Sequence, residues 1–519
     1  MKRRIFYRWF CIFRQLNRIL IFLSRNIHKT MSLKKSLLFV LLFTGFGILA
    51  AQETDSAKIL KTFHSISSHD LLKITEELSS EKYKGRLSGS PEYLKAAEWC
   101  AAQFEQWGLK PANHGSWFQY FPNAYSEVYS KGSVKYTDLN GTEKELIFPD
   151  EYMPGSNSAS GTVTGELVFA GHGITAPELE YDDYLNVDVR GKIVILETGI
   201  PYTKNDSVQG KWTPYSYHRY KFKNAIDHGA IGLLYVETIA NPNTSFTEGF
   251  VYAHISEKIT GELFAASGKE YKKVKEQLAA FQMPSFVLNP KQKVTISAET
   301  KNFPDSKSCN VVGLVEGSDP VLKNEVIIVG AHLDGQGYFG ELFPSALDNA
   351  SGSADIMAAA KALAQSEVKP KRSVLFILIG GEECGLYGSK YYADHPLFPI
   401  DKTVFMINLD MVGNGTGFYV SSGKSYPEIY SHFEKANQNF LHRKMEASEW
   451  RKSYSRPRSD AANFENAGIK TLSLWTSGGV FPVYYHHPKD KTDVLTPEIM
   501  EDAAKLLYLG ILGVANDGI

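Results

Sequence analysis

Cysteine is scarce, with four in 519 residues. Cys11 falls in a basic leader, so only Cys100, Cys309 and Cys384 remain, which excludes a disulfide-dense scaffold and leaves room for at most one bridge. A membrane-length apolar run is also missing. The stretch from Leu37 to Ala51 is shorter than the roughly 20 residues a spanning helix needs, so no stable membrane span is expected after its removal. There is no internal repeat and no low-complexity segment. A basic surplus is absent too. Beyond residue 51 there are 46 Lys plus Arg against 57 Asp plus Glu, a formal charge near −11. Nucleic-acid binding needs a basic face, so that class of function is excluded.

The leader itself contains ten Lys or Arg and no Asp or Glu in 51 residues. Lys34 and Lys35 precede the apolar run, which ends in small residues before Gln52. That is the form of a secretory signal over residues 31–51 within a 1–51 presequence, with the mature chain starting near Gln52. The basic, aromatic segment before Met31 reads as an over-extended gene start, so Met1 and Met31 both stand as start codons. No cysteine follows the apolar run closely enough for a lipid anchor. A secreted or periplasmic protein is expected.

The rest of the chain is ordinary globular material, 43% hydrophobic and 22% charged, long enough for two or more domains. Residues 53–124 read as mainly helical, with His69–Glu81 and Pro91–Trp107 spaced as helices and Gly108 placed to end the second. From 125 to 295 short strand runs dominate: Gly165–Ile174, Lys192–Leu196, Gly232–Val236 and Ser285–Leu288, with one helix near Tyr220–His228. This reads as an inserted, mainly β module. From 296 to 519 strands and helices alternate, the signature of a mixed, mostly parallel sheet flanked by helices. Its strands are expected to end near Val329, Ile379, Leu409 and Trp475, with helices at Ser353–Ala364 and Pro497–Val514.

What the chain has in quantity is acid and histidine just past those strands: His332 and Asp334, Asp348, Glu382 and Glu383, Asp410, and Tyr485 with His486. In an open α/β sheet the carboxyl ends of the strands are where ligands bind. Carboxylate and imidazole suit divalent cations, and a pair of zinc ions about 3.5–4 Å apart needs roughly five protein ligands, one of them bridging. The series supplies that number and a spare carboxylate.

Five blocks in order carry a family resemblance: HLD at 332–334, LDNASG at 347–352, GGEECGLYGS at 380–389, NLDMVG at 408–413 and YHHPKDKTD at 485–493. They resemble the two-zinc exopeptidases of the bacterial leucyl aminopeptidase and glutamate carboxypeptidase type. GRLSGSPEYLKAAEWCAAQFEQWGLKP at 85–111 is similar to that family's N-terminal helical segment. GELVFAGHGI, YDDY at 181–184, VRGKIVIL and NAIDHGAIGLLYV resemble the protease-associated domain often inserted there. The implied fold is the zinc exopeptidase, or phosphorylase-hydrolase-like, α/β sheet.

The resemblance implies Asp348 as the bridging carboxylate, His332 and Asp410 as further ligands of one zinc, and Glu383 and His486 as those of the other. It implies Glu382 as general base, Asp334 as the group orienting the His332 imidazole, and Tyr485 as oxyanion donor. A packed aromatic near Phe481 and Tyr484 is the other reading of Tyr485. His487 and Cys384 are rival ligands, disfavoured because Pro488 sets the register on His486 and because the family tolerates many residues at 384. His172, His218, His254 and His442 are expected to be structural or exposed, and Asp355 to be a solvated helix residue. Arg456 or Arg458, beside Ser459–Asp460, stands as a contact for a substrate carboxylate or as an exposed basic loop. Gly335 and Leu347 depart from the pattern at non-ligand positions.

The expected function is an exported two-zinc aminopeptidase acting on peptides. A one-zinc glutaminyl cyclase, a carboxypeptidase, and a non-catalytic binding protein are the alternatives. Residue preference, oligomeric state and physiological substrate are left open by the sequence.

Overall fold

A computed structural model describes residues 54–201, 206–451 and 457–517; the expected signal segment and Arg456 lie outside them. Uninterrupted apolar strings build the centre. Val326–His332 and Ser373–Ile379 are buried from end to end, which for a strand requires cover on both faces. They pair in parallel with each other. Thr403–Leu409 adds in parallel on the other side of Val326–His332, and Thr471–Ser477 beyond it. Lys307–Val315 closes one flank antiparallel to Ser373–Ile379, and Gly417–Ser421 the other, antiparallel to Thr471–Ser477. Two edge strands, Phe118–Pro122 on the Lys307–Val315 side and Lys444–Ala447 on the other, complete a nine-stranded mixed sheet with Lys110–Pro111.

Helices cover both faces. Ser68–Leu78, Pro91–Trp107, Ser351–Gln365 and Pro497–Asn516 share the larger core with alternate strand side chains such as Ile327, Val329 and Phe376. On the opposite face Tyr392 and Phe464 pack on Ile328, Leu375, Ile377 and Met406. The caps explain the boundaries of Pro91–Trp107. Ser90 Oγ accepts from Tyr93 N at 3.1 Å, a bond whose loss costs about 1 kcal/mol. Pro91 opens the first turn, and Gly108 ends the helix at φ +87°, where only glycine is unstrained. Helix Ser351–Gln365 is rich in alanine and lies buried along almost its whole length. Asp355 is therefore fully buried rather than solvated. Neither of its carboxylate oxygens has a hydrogen-bond partner, and burial holds its carboxyl far above the ordinary carboxylate range. A helix with no wet face gives a polar position nowhere to go.

The chain leaves the main sheet after Pro122 and returns at Lys307. A two-stranded neck, Tyr125–Val128 against Thr300–Phe303, carries it out and back. Between lies a second nine-stranded sheet spanning residues 133–298, with the parallel run Gly161–Phe169, Ile193–Glu197, Gly232–Val236 and Val251–Ile255 at its centre. Helices Glu257–Ala265 and Tyr271–Ala279 pack on it, and the sequence reading missed both. Their charged outer faces and short length hid the periodicity; Val274 and Leu278 are the apolar pair that docks. Among the described residues no helix is long and apolar enough to cross a membrane, and Cys100, Cys309 and Cys384 are all free.

Candidate metal centre

Parallel pairing sets the site. His332 ends its strand opposite Ile379, and Ala331 sits opposite Leu409. Three neighbouring strands thus release His332, the Gly380–Glu383 turn and Asp410 at one level. Asp348 enters from the turn before helix Ser351–Gln365, and His486 from the segment after Thr471–Ser477. Ser345, Leu386, Met411 and His486 all have left-handed backbone, φ +51° to +63°, so each of the four chain segments turns sharply beside or at a site residue. Such strain is held only where surrounding packing enforces it.

The side chains form two overlapping groups. His332 Nε2 lies 3.2 Å from Asp348 Oδ1 and 3.4 Å from Asp410 Oδ1. His486 Nε2 lies 3.3 Å from Asp348 Oδ2 and 3.1 Å from Glu383 Oε2. Asp348 therefore points one oxygen into each group. Ligand atoms of His332, Asp348 and Asp410 are mutually within 4.8 Å, as are those of Asp348, Glu383 and His486 and those of His332, Glu382 and Glu383. His486 Nε2 and Glu383 Oε1 are buried with no hydrogen-bond partner, the state of donor atoms aimed at a cation. The residues present fit zinc: imidazole nitrogen with carboxylate oxygen, two overlapping sets of three.

Electrostatics agree with that fit. Burial alone would lower both imidazoles. Yet the carboxylates of Asp348 and Asp410 hold His332 well above its usual range, and Glu383 with Asp348 lifts His486 to about 10. Asp348 is held low, against burial, by the two histidines. Burial first, then Glu383, Asp460 and Asp410, hold Glu382 far above an ordinary glutamate, while His332 opposes them. A concentration of negative charge this dense takes up protons or a metal.

Asp334 sits beneath, fully buried, and burial pushes it up to about 8. Its carboxylate accepts from the amides of Glu382 and Glu383, both at 3.2 Å. His332 Nδ1 instead meets the Asp334 backbone oxygen at 3.1 Å, with the carboxylate 3.7 Å away. The orienting group expected for the His332 ring is thus the peptide of Asp334, and its side chain fixes the glutamate turn. Tyr485 is half-exposed, with its ring stacked on His486 at 3.7 Å between centroids. Burial and the carboxylates of Glu383 and Asp348 hold its hydroxyl protonated. Tyr484, not Tyr485, packs with His487.

His487 and Cys384 contribute no atom to these groups; Cys384 is buried. His172, His218 and His254 are buried and contribute no atom to these groups, His218 Nδ1 lying 3.0 Å from Asn241 Nδ2, and His442 is exposed. Arg458 is exposed, whereas Asp460 is buried near the centre. Burial, with Asp410 and Glu383, pushes Asp460 up to about 7 against His332 and Ser389. Beside Asp410 opens a cavity of about 540 Å³ lined by Leu347, Met411, Asn414, Trp475 and Val483, wide enough for an amino-acid side chain.

Three contributors went unread in the sequence. Asp490 accepts from the amides of Leu347 and Asp348 at 2.8 and 3.1 Å, doing for the Asp348 turn what Asp334 does for Glu382–Glu383. Arg86 is fully buried and donates to the carbonyls of Leu333 (2.7 Å), Leu78 (2.6 Å), Pro344 (3.0 Å) and Ser345 (2.8 Å). Ala240, from the second sheet, touches His486. Asp490 and Arg86 stand inside the resembling blocks, but nothing in a single sequence shows which way they point.

The structure thus defines an α/β protein with a candidate cation site of carboxylates and imidazoles at the carboxyl ends of parallel strands. Residues 310–509 match the model of Peptidase family M28. Aminopeptidase YwaD of Bacillus subtilis (strain 168) is 25% identical over 230 residues, 42% of this chain and 48% of its own length. The chain thus spans about half of that curated relative. Two solved structures share the fold across both sheets. The aminopeptidase from Aneurinibacillus sp. strain AM-1 superposes with a TM-score of 0.60 at 21% identity, covering 89% of this chain and 97% of that one. BSAP, a zinc aminopeptidase from Bacillus subtilis, gives 0.59 at 19%, covering 88% and 97%.

Proposed function

We propose that the chain is a zinc-dependent exopeptidase, an aminopeptidase removing N-terminal residues from peptides, with two zinc ions per chain. The observation that carries this reading is Asp348, whose two oxygens face separate histidine–carboxylate pairs. His332, Asp348 and Asp410 would hold one ion and Glu383, Asp348 and His486 the other; Asp334 and Asp490 keep the two ligand turns in place. Zinc, when bound, polarises the scissile carbonyl and makes water acidic enough to react near neutral pH. Glu382, half-buried and not needed as a ligand, takes a proton from the attacking water and returns it to the leaving amine. The Tyr485 hydroxyl donates to the oxygen on which negative charge develops. The cavity beside Asp410 receives the side chain of the residue to be released. The second sheet is read as a protease-associated domain, and residues 31–51 as a signal for export.

Purified protein is expected to release the chromophore from an aminoacyl anilide, to lose this activity on chelation and to regain it with zinc. Glu382→Gln should keep its fold and zinc content while turnover falls by about 10²–10⁴. A folded, zinc-loaded protein inert on free and N-blocked peptides alike would refute the reading. Cleavage of N-blocked peptides only would replace it with a carboxypeptidase. A single bound zinc with cyclisation of N-terminal glutamine would replace it with a cyclase.

A further inference from the structure

The two halves of the metal centre are supported differently. Around His332 the hydrogen bonds come from the main sheet and its helices: Nδ1 to Asp334 O, and Ser353 Oγ to its carbonyl at 2.8 Å. Asp410 N binds Leu474 O at 3.3 Å, in the neighbouring strand. His486 is held from the inserted sheet. Its Nδ1 lies 2.8 Å from Ala240 O, and Ala240 N donates back to His486 O at 3.1 Å. The same segment reaches the flank of Glu383, where Thr244 N meets Cys384 O at 3.4 Å. Asn243 Oδ1 lies so close to Gly385 that a Cβ there would stand 3.3 Å from it. Ala240 is fully buried in an apolar cluster with Val128, Met153, Phe339 and Phe343, which draws on the neck, the insert and the main domain.

We propose that residues 240–244, in the insert's connection between strands Gly232–Val236 and Val251–Ile255, are a structural part of one half of the metal centre, so that their anchorage governs retention of the Glu383/His486 ion and leaves the His332/Asp410 ion unaffected. The inference rests on the two-zinc reading. Accepting the Nδ1 proton fixes the tautomer that leaves Nε2 free as a ligand, and such partners are worth about 10–100-fold in metal affinity. The bracing carbonyl is backbone, so its position depends on what ties the segment down. Asn157 does most of this: buried in the insert, its Nδ2 donates to Pro242 O at 3.3 Å and Asn243 O at 2.9 Å. Ser156 Oγ accepts from Asn241 N at 3.3 Å. Asn241 Oδ1 in turn accepts from Asn243 N at 3.1 Å.

The test is the zinc content and stepwise zinc affinity of the full chain, measured by chelator competition on Asn157→Ala, with Ser156→Ala as the milder variant should the first fail to fold. The expected result is two zinc ions in the parent chain, and in the variants one ion held as before and the other about tenfold or more weaker. Cobalt substitution would give the same answer by absorbance, as one of two titration steps moving. Unchanged affinities at both steps, or equal weakening of both, would overturn the inference. A parent chain that binds a single zinc would instead overturn the two-zinc reading beneath it.

Discussion

Arg86 offers the sharpest test of how the ligand turns are held. Its guanidinium is fully buried, and its donors meet four backbone carbonyls from three separate segments. Two of those carbonyls, Leu333 and Ser345, sit next to or just before the site residues His332, Asp334 and Asp348. Replacing Arg86 by Met keeps much of the side-chain bulk but removes this donor from all four; Ser345 O keeps the Ala350 amide at 3.1 Å, and the carbonyls of Leu333, Leu78 and Pro344 are left to bear the loss. A buried acceptor left unpaired costs about 1–3 kcal/mol, so for three of them even the low end of the range sums to about 3 kcal/mol, more than a hundredfold in the folding equilibrium. Burial outweighs the support of Asp334, Asp490 and Asp348 and pulls the guanidinium down to about 10, so loss of the charge itself adds nothing to this. Arg86→Lys keeps the charge, but a single ammonium cannot span a planar fork of acceptors, so about half the loss is expected. Urea unfolding of the metal-free protein, followed by tryptophan fluorescence, measures both variants; Arg86→Met should lower the midpoint by about 1 M or more. A loss below about 1 kcal/mol would show that water or backbone movement satisfies those carbonyls, and that Arg86 does not hold the turns.

Three further outcomes are expected. Tyr485→Phe should reduce kcat about 10²-fold with zinc content unchanged; steady-state rates equal to the parent's would remove Tyr485 from the reaction. Gly85→Ala would place a Cβ 2.3 Å from Gly337 O and 2.5 Å from Phe343 O at φ +72°, so a loss of at least about 2 kcal/mol should appear in thermal unfolding. Asp183 lies buried in the insert, accepts from the amides of His172 and Ile174 at 3.0 Å, and is pushed by burial up to about 7. The folded state therefore holds a proton that the unfolded chain releases above about pH 4. Stability linked to this group is complete below that pH and falls as the pH rises to about 7. Asp183→Asn removes the titration, so the variant should gain on the parent across that window, by at most about 4 kcal/mol. Melting curves from pH 4 to 8 that stay parallel would contradict this.

Much of this architecture was legible because it rests on local patterns. Val326–Val329, Val374–Ile379 and Val404–Ile407 are unbroken apolar strings, the pattern of buried parallel strands. His332, Glu382, Glu383 and Asp410 follow them directly, so predicting the strand ends also predicted their convergence. Boundaries set by caps were equally clear, as at Ser90, Pro91 and Gly108. What escaped reading depends on contacts between distant segments. Asp355 looks like an ordinary polar helix residue until the helix proves to have no solvent face. Asp334 was expected to orient His332, but that its peptide oxygen would meet the ring while its carboxylate turns to two amides could not be read. Arg86 lies 247 residues from Leu333 and Ala240 lies 246 from His486, separations across which one sequence carries no signal.

The neck between the sheets has a consequence for how the chain folds. Phe118–Pro122 pairs antiparallel with Lys307–Val311, Pro122 opposite Lys307, so residues 123–306 are, topologically, the loop of a β-hairpin. Closing a flexible loop of that length costs about 4 kcal/mol more than closing a tight turn. An insert already folded removes this cost, since its neck holds Tyr125 opposite Phe303, with the two rings stacked at 4.8 Å. The outer edge of the main sheet is therefore expected to zip up last, after a module of another sheet has assembled and brought its two ends together.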